Sequence, residues 1–354
     1  MKRYERCEHG GDIYGNPDVR LDFSVNTNPL GMPDAVRRAL VSRVDEYARY
    51  PDPQCRELRA AVALHENVPE DWVLCGNGAA DLIYRLCYAA KPRGALVCAP
   101  TFSEYEGALE QVGCQVARHA LAKEDQFALT PDIEERLVPG IDMLFLCHPN
   151  NPTGRLIPGD LLGRVLSRAR QNRTLVIVDE CFLDFTDGLS AKRYLDGRPG
   201  LVVLKAFTKI YAMAGLRLGY LLTSDKGLLN KADVAAQCWS VSVPAQIAGA
   251  AALACTNWPG KTRRLVAKER RFLSANLTEL GITVFPSDAN FLLLRCERPL
   301  YEPLLQRGLL IRSCENFKGL DASYYRVGVK TRAENTCLIR AAKEILDSWH
   351  YVGF

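Results

Sequence analysis

The chain has 354 residues, 48% of them hydrophobic and 24% charged, which excludes collagen-like, coiled-coil and disordered architectures. Its net charge of +4 comes from basic residues scattered along the sequence, so the concentrated basic stripe of a nucleic-acid-binding protein is missing. No apolar run approaches the roughly 20 residues that span a bilayer, and Met1-Lys2-Arg3-Tyr4-Glu5 leads into polar residues and not a signal-peptide core, so a cytoplasmic protein without a membrane partner is expected.

At about 150 residues per domain the length predicts two domains. Apolar or β-branched runs at Trp72 to Cys75, Gly94 to Cys98, Gln115 to His119, Met143 to Cys147, Thr174 to Val178, Leu201 to Lys205 and Leu218 to Thr223 read as strands. Helical spacing lies between them at Ala79 to Ala90, Phe102 to Val112 and Gly159 to Gln171. Strands separated by helix-length crossovers predict an α/β domain with a largely parallel sheet. The rhythm changes near Asp225: helical patterns at Val243 to Ala254 and Lys261 to Leu280 precede a strand, helix, strand, strand, helix order ending at Trp349. The division expected is an N-terminal segment over 1–35, a large domain over 36–225 and a smaller α+β domain over 226–354.

Thirteen cysteines stand singly with no CxxC pair, and several, such as Cys98 and Cys147, sit inside apolar runs. They read as buried small hydrophobes in a reducing compartment. With five dispersed histidines, no metal site is predicted.

Four segments carry chemistry. Cys75-Gly76-Asn77-Gly78-Ala79-Ala80-Asp81 is a strand end, a glycine turn and a helix start, which points free backbone N–H groups at an anion. His148-Pro149-Asn150-Asn151-Pro152-Thr153-Gly154 is a stiff turn at another strand end. Val176-Ile177-Val178-Asp179-Glu180 delivers two acids at the carboxyl end of a strand, where ligands bind in open α/β sheets. Lys209 follows the strand Leu201 to Leu204 among apolar neighbours that lower an amine's pKa, and Arg217 eight residues later offers a fork for phosphate. Singly, each has an ordinary reading as a turn, a loop acid or a surface cation. At successive sheet edges they describe a pocket for pyridoxal phosphate, with a lysine to bind it and an acid to hold its ring nitrogen protonated.

On these residues the chain resembles the fold-type I aminotransferase superfamily, and within it the threonine-phosphate decarboxylases of cobalamin biosynthesis, close to the histidinol-phosphate aminotransferases. The finer likeness rests on Glu8-His9-Gly10-Gly11, on Leu21-Asp22-Phe23-Ser24-Val25-Asn26-Thr27-Asn28-Pro29-Leu30-Gly31 and on Arg49-Tyr50-Pro51. It continues at Leu310-Ile311-Arg312-Ser313-Cys314, Gly319-Leu320-Asp321 and Tyr324-Tyr325-Arg326-Val327. The resemblance implies that Lys209 carries the cofactor, Asp179 pairs with its ring nitrogen, and Asn151 bonds its phenolic oxygen. It further implies that Phe102 stacks on the ring with Tyr105 close by, and that Arg217, Thr208 and the backbone of Ala79 and Ala80 hold the phosphate. Tyr50 would reach the site of the neighbouring subunit in a homodimer. Arg312 and Arg326 would grip the substrate's anionic groups, aided by His9 and Asn28.

The implied reaction is decarboxylation of L-threonine O-3-phosphate to (R)-1-amino-2-propanol O-2-phosphate. Serine phosphate as substrate, an aminotransferase acting on histidinol phosphate, and a cofactor-binding regulator are the alternatives. Three residues depart from the pattern of relatives: Ala206 stands where Ser or Thr is common, Phe182 where aminotransferases often carry Tyr, and Ala79 and Ala80 lack polar side chains.

Overall fold

The computed structural model describes residues 9–348, so Cys7, Glu8 and Trp349, with the outer ends of the expected N-terminal and C-terminal segments, lie outside the described residues. A short strand β1 (Leu21–Asp22) leads to helices α1 (Asp34–Ser42) and α2 (Arg56–Glu66). The large sheet is then built by β2 (Val73–Gly76), α3 (Ala79–Ala90), β3 (Gly94–Ala99), α4 (Glu104–Gln111), β4 (Gln115–Ala120), α5 (Ile133–Arg136), β5 (Met143–Cys147) and α6 (Gly159–Gln171). It is completed by β6 (Leu175–Asp179), β7 (Leu201–Ala206), α7 (Phe207–Ile210) and β8 (Gly219–Leu222).

Its seven strands run in the order β2-β8-β7-β6-β5-β3-β4. Only β8 is antiparallel, to both β2 and β7. The central strands are mostly apolar because helices cover both faces: every residue of β5 and β7 is buried, Lys205 included. One face packs Leu82, Ile83 and Leu86 of α3 and Leu109 of α4 against Val97, Ile177 and Val202. The other packs Val36 of α1, Leu58 of α2 and the α6 residues Leu161 and Val165 against Leu144, Val176 and Val203.

Helices α8 (Lys226–Val234), α9 (Val243–Leu253) and α10 (Trp258–Glu279) follow. The change of unit falls later than the sequence predicts. Leu228, Leu229 and Ala232 of α8 join the core under α3, and Ala245, Ala248 and Ala252 of α9 join the opposite core with α1 and α2. The small side chains of α9 allow this close approach: a Cβ on Gly249 would lie 2.6 Å from Leu218 and 2.7 Å from Leu58. Helix α8 lacks a strong apolar stripe, and its sequence signal is the cap, where the Asp225 carboxylate accepts from the Leu228 N–H at 2.9 Å.

The smaller unit contains β9 (Thr283–Val284), β10 (Phe291–Arg295), α11 (Tyr301–Leu305), β11 (Leu309–Leu310), β12 (Arg312–Ser313), β13 (Tyr324–Gly328) and α12 (Arg332–Ser348). Its antiparallel sheet runs β12-β13-β10-β9. The N-terminal segment crosses back to it, since β1 pairs with β11 and the Phe23 carbonyl accepts from the Gly328 N–H at 2.7 Å. This crossing carries residues 9–28 over the carboxyl ends of the large sheet.

Candidate active site

In the order of the large sheet, β3 sends its connection to β4 on one side while β5 lies on the other, and such a reversal opens a crevice at the carboxyl ends of the strands. A cavity of about 480 Å³ lies there. It brings together His9, Ala79, Ala80, Phe102, Asn151, Asp179, Thr208, Lys209, Arg217, Arg312 and Arg326. A wider vestibule of about 1010 Å³ adjoins it and shares His9, Gly10, Ser24 and Arg312.

Asp179 ends β6 and is buried, with its two oxygens held separately. Oδ2 accepts from the Tyr105 hydroxyl at 2.6 Å and Oδ1 from the Cys181 N–H at 2.9 Å. Tyr105 is wholly buried, stacked on Phe145 at 4.8 Å. It therefore sits behind the cavity and aims Asp179, where the sequence predicts it beside the cofactor. Phe102 does reach the cavity, edge-on to Tyr105.

The two lysines four residues apart have opposite environments. Lys205 on β7 is buried in an ionic cluster, 3.0 Å from Glu66 and 3.7 Å from Asp184, and these carboxylates push its pKa up despite burial. The Lys209 amine has no ion pair or hydrogen bond among the described residues, and it lies 5.7 Å from the Phe182 ring centroid. Burial first, then Arg326 and Arg217, pull its amine down to about 8, against the opposing pull of Asp179. Lys209 thus offers an unpaired amine to the cavity, while Lys205 is held as a paired cation.

Beside Lys209, α3 begins at Ala79 after Gly78, whose φ of +85° is left-handed. A Cβ on Gly78 would lie 2.7 Å from Arg217 Nη2, so the glycine lets the guanidinium lie against the helix start. The N–H groups of the first helical turn have no intrahelical acceptor, and Thr208 adds a hydroxyl. A cradle of backbone donors, one hydroxyl and one guanidinium fits a phosphate monoester. Together with an unpaired amine and a carboxylate across the cavity, it fits the pyridoxal phosphate that the sequence predicts. Ala206 lines the cavity without contributing a hydroxyl.

The wall opposite is cationic. In the antiparallel pairing of β12 and β13, Arg312 lies directly across from Arg326, and both are buried. Arg326 donates to Asn151 Oδ1 and, at 2.7 Å, to the Ser24 carbonyl, while its Nε has no partner. Arg312 donates to Asn316 Oδ1 at 2.7 Å. Burial, opposed by Cys314 and reinforced by Arg312, lowers the Arg326 guanidinium to about 10. Like charges directly opposite on one sheet face are destabilising unless an anion joins them.

Two expected residues lie elsewhere. Asn28 is buried and does not line the cavity: Nδ2 donates to the Ile210 carbonyl and to Thr262 Oγ1, both at 2.7 Å, and Oδ1 accepts from the Leu30 N–H. Its own N–H donates to the Lys209 carbonyl at 3.0 Å, so Asn28 secures the backbone that carries Lys209. Asn26, two residues earlier, takes the cavity position; it is 2% exposed and its Oδ1 has no partner. Tyr50 is 78% exposed, stacked on Trp239 at 4.5 Å and remote from its own chain's cavity lining. Asn150, the neighbour of Asn151, is structural, bonded to Thr101, Pro100 and Thr153.

Comparison with known proteins gives a match to the model for aminotransferase class I and II over residues 19–341. A threonine-phosphate decarboxylase of Salmonella typhimurium is 42% identical over 353 residues, covering 96% of each chain. Among solved structures, the histidinol-phosphate aminotransferase of Clostridium acetobutylicum superposes with a TM-score of 0.87 at 29% identity, covering 93% of this chain and 99% of that one. The L-threonine-O-3-phosphate decarboxylase of Porphyromonas gingivalis gives 0.84 at 27% identity, covering 92% and 99%.

Proposed function

We propose that the chain, which belongs to the aminotransferase class I and II family, is a pyridoxal-phosphate-dependent lyase that converts L-threonine O-3-phosphate to (R)-1-amino-2-propanol O-2-phosphate and carbon dioxide. The observation that carries this reading is the buried pair Arg312 and Arg326, directly opposite each other and facing the same cavity as Lys209. Two adjacent buried guanidiniums suit a substrate that carries both a phosphate and a carboxylate. Fold likeness does not separate decarboxylase from aminotransferase, since solved examples of both superpose closely. The 42% identity to a decarboxylase along nearly the whole chain favours the lyase, as does Phe182 in place of a tyrosine.

In this reading Lys209 holds the cofactor, the first turn of α3 with Arg217 and Thr208 takes its phosphate, and Asp179, aimed by Tyr105, faces its ring nitrogen. The cofactor, when bound, supplies the electron sink for the bond broken at the substrate's Cα. Arg312 and Arg326 hold the substrate's anionic groups so that one bond to Cα, the one to the carboxylate, takes the reactive orientation. Phe102, Phe182 and Phe317 line the cavity and keep water from it. Lys209 Nζ, freed once the substrate's own amine has taken its place, would then be the group that delivers the proton that takes the place of the lost carboxylate.

The exposed apolar residues Val41, Val44, Tyr47, Tyr50 and Trp239 support a homodimer in which Tyr50 reaches the partner's cofactor phosphate. A place in the cytoplasm and in cobalamin biosynthesis belongs to the same proposal; among the described residues no helix is long and apolar enough to cross a membrane. Purified holoenzyme incubated with threonine phosphate, serine phosphate and histidinol phosphate, each with and without a keto acid, tests the reading. Carbon dioxide release from threonine phosphate without a keto acid is expected. Amine transfer that depends on a keto acid, with no carbon dioxide, would refute it in favour of the aminotransferase.

A further inference from the structure

We propose that Glu104 is a positioning residue that acts through His9, orienting the imidazole so that its second nitrogen meets the substrate's phosphate. The inference rests on the reading of a phosphorylated substrate given above. His9 belongs to the segment laid across the cavity, and its Nε2 is 2.8 Å from Glu104 Oε1. The other oxygen of Glu104 accepts from the Tyr84 hydroxyl at 2.9 Å. Tyr84 lies on α3, the helix whose start forms the phosphate cradle, while Glu104 is the first residue of α4, where a carboxylate suits the helix dipole. The Phe102 ring lies 6.0 Å from the imidazole. One carboxylate therefore ties together the crossing segment, the ring-stacking loop and the cradle helix.

A surface ion pair of this kind adds little to stability. His9 remains about half exposed, its side chain at 48% against 18% for Glu104, so packing does not fix the ring. The bond does fix its chemistry. The His9 contact, helped by Tyr84 and opposed by burial, holds the Glu104 carboxyl below its usual range. A carboxylate only accepts, so Nε2 carries the hydrogen and Nδ1 is the ring nitrogen left for a ligand. A hydrogen bond between Nδ1 and a phosphate oxygen then closes a chain of phosphate, imidazole and carboxylate whose geometry Glu104 sets. Without Glu104 the ring is free to rotate and to present either nitrogen.

The test compares wild-type holoenzyme with Glu104→Gln, His9→Ala and the double variant; Glu104→Gln keeps the shape and a hydrogen-bond acceptor but removes the charge. Glu104→Gln is expected to raise KM for threonine phosphate by about tenfold, the worth of one charge-assisted hydrogen bond, with kcat little changed. Competitive inhibition by inorganic phosphate should weaken by the same factor. The double variant should be no worse than His9→Ala. Nitrogen-15 NMR of histidine-labelled holoenzyme, with the His9 signal assigned by its loss in His9→Ala, should show the hydrogen fixed on Nε2 in wild type and shared between the two ring nitrogens in Glu104→Gln. A Glu104→Gln effect that persists in the His9→Ala background, or His9 ring-nitrogen signals indifferent to Glu104, would overturn the proposal. If threonine phosphate proves not to be the substrate, the phosphate inhibition and the NMR signals still decide the role of Glu104 by themselves.

Discussion

Replacing Arg326 by Met removes a cation from the cavity wall while keeping most of its buried volume. The guanidinium is 7% exposed, donates to Asn151 and the Ser24 carbonyl, and faces Arg312 across the strand pair. Two charge-assisted bonds to a substrate anion, at about 1.5 to 3 kcal/mol each, predict a fall in kcat/KM for threonine phosphate of about 10² to 10⁴-fold. Stability should change little, by about 1 kcal/mol, because the bonds lost to Asn151 and Ser24 are offset by relief of a buried cation that has no carboxylate ion pair among the described residues. The amine of Lys209 reports independently. Arg326 is the largest influence after burial that lowers it to about 8, so in Arg326→Met the pH at which the apoenzyme captures pyridoxal phosphate should move upward. Denaturant unfolding, steady-state kinetics and the pH dependence of cofactor capture measure the three effects. Retention of wild-type kcat/KM, or a loss of activity accounted for by unfolding, would refute the assignment of Arg326 to the substrate.

Three further outcomes follow from the same geometry. Capture of pyridoxal phosphate by the wild-type apoenzyme should accelerate as pH rises through about 8, where Lys209 loses its proton, and borohydride reduction should mark Lys209; label on Lys205 would sink the assignment. Tyr105→Phe removes the 2.6 Å bond to Asp179 and should lower kcat by about tenfold with cofactor retained, since one charge-assisted bond aims the carboxylate. Glu180, buried on the far side of Asp179, has its carboxyl raised to about 7, chiefly by burial. Its folded value lies above its unfolded one, so its contribution to stability is present at low pH and is lost as pH rises toward 7. Glu180→Gln should therefore flatten the stability profile between about pH 4.5 and 7, by about 3 kcal/mol across the window, as read by urea unfolding at several pH values.

The large sheet was legible because its strands are buried on both faces and so appear as apolar runs: Met143 to Cys147 and Leu201 to Leu204 are apolar throughout, with every residue buried. The boundary near Asp225 was not. Periodicity marks a helix and is silent about its partner, and α9 is apolar nearly all round, with Ala245, Ile247, Ala248, Gly249, Ala252 and Leu253 buried. Which core it joins depends on Gly249 fitting against Leu58 and Leu218, residues distant in sequence.

The two asparagines of Ser24-Val25-Asn26-Thr27-Asn28-Pro29-Leu30-Gly31 show where reading a site from sequence stops. Both are buried polar side chains two residues apart, and spacing alone would put them on one face of an extended strand. The chain turns at the second. Asn28 precedes Pro29, and its Oδ1 accepts from the Leu30 N–H while its carbonyl accepts from the Gly31 N–H, the side-chain turn that Asn favours. That turn leaves Nδ2 for the Ile210 carbonyl and commits Asn28 to holding the Lys209 segment. Asn26, two residues before the turn begins, keeps Oδ1 unpaired at the cavity. The Asn-Pro-Leu-Gly signal was present in the sequence, and taken as a turn it identifies the asparagine whose side-chain oxygen is bonded locally, leaving the oxygen of the other open at the cavity.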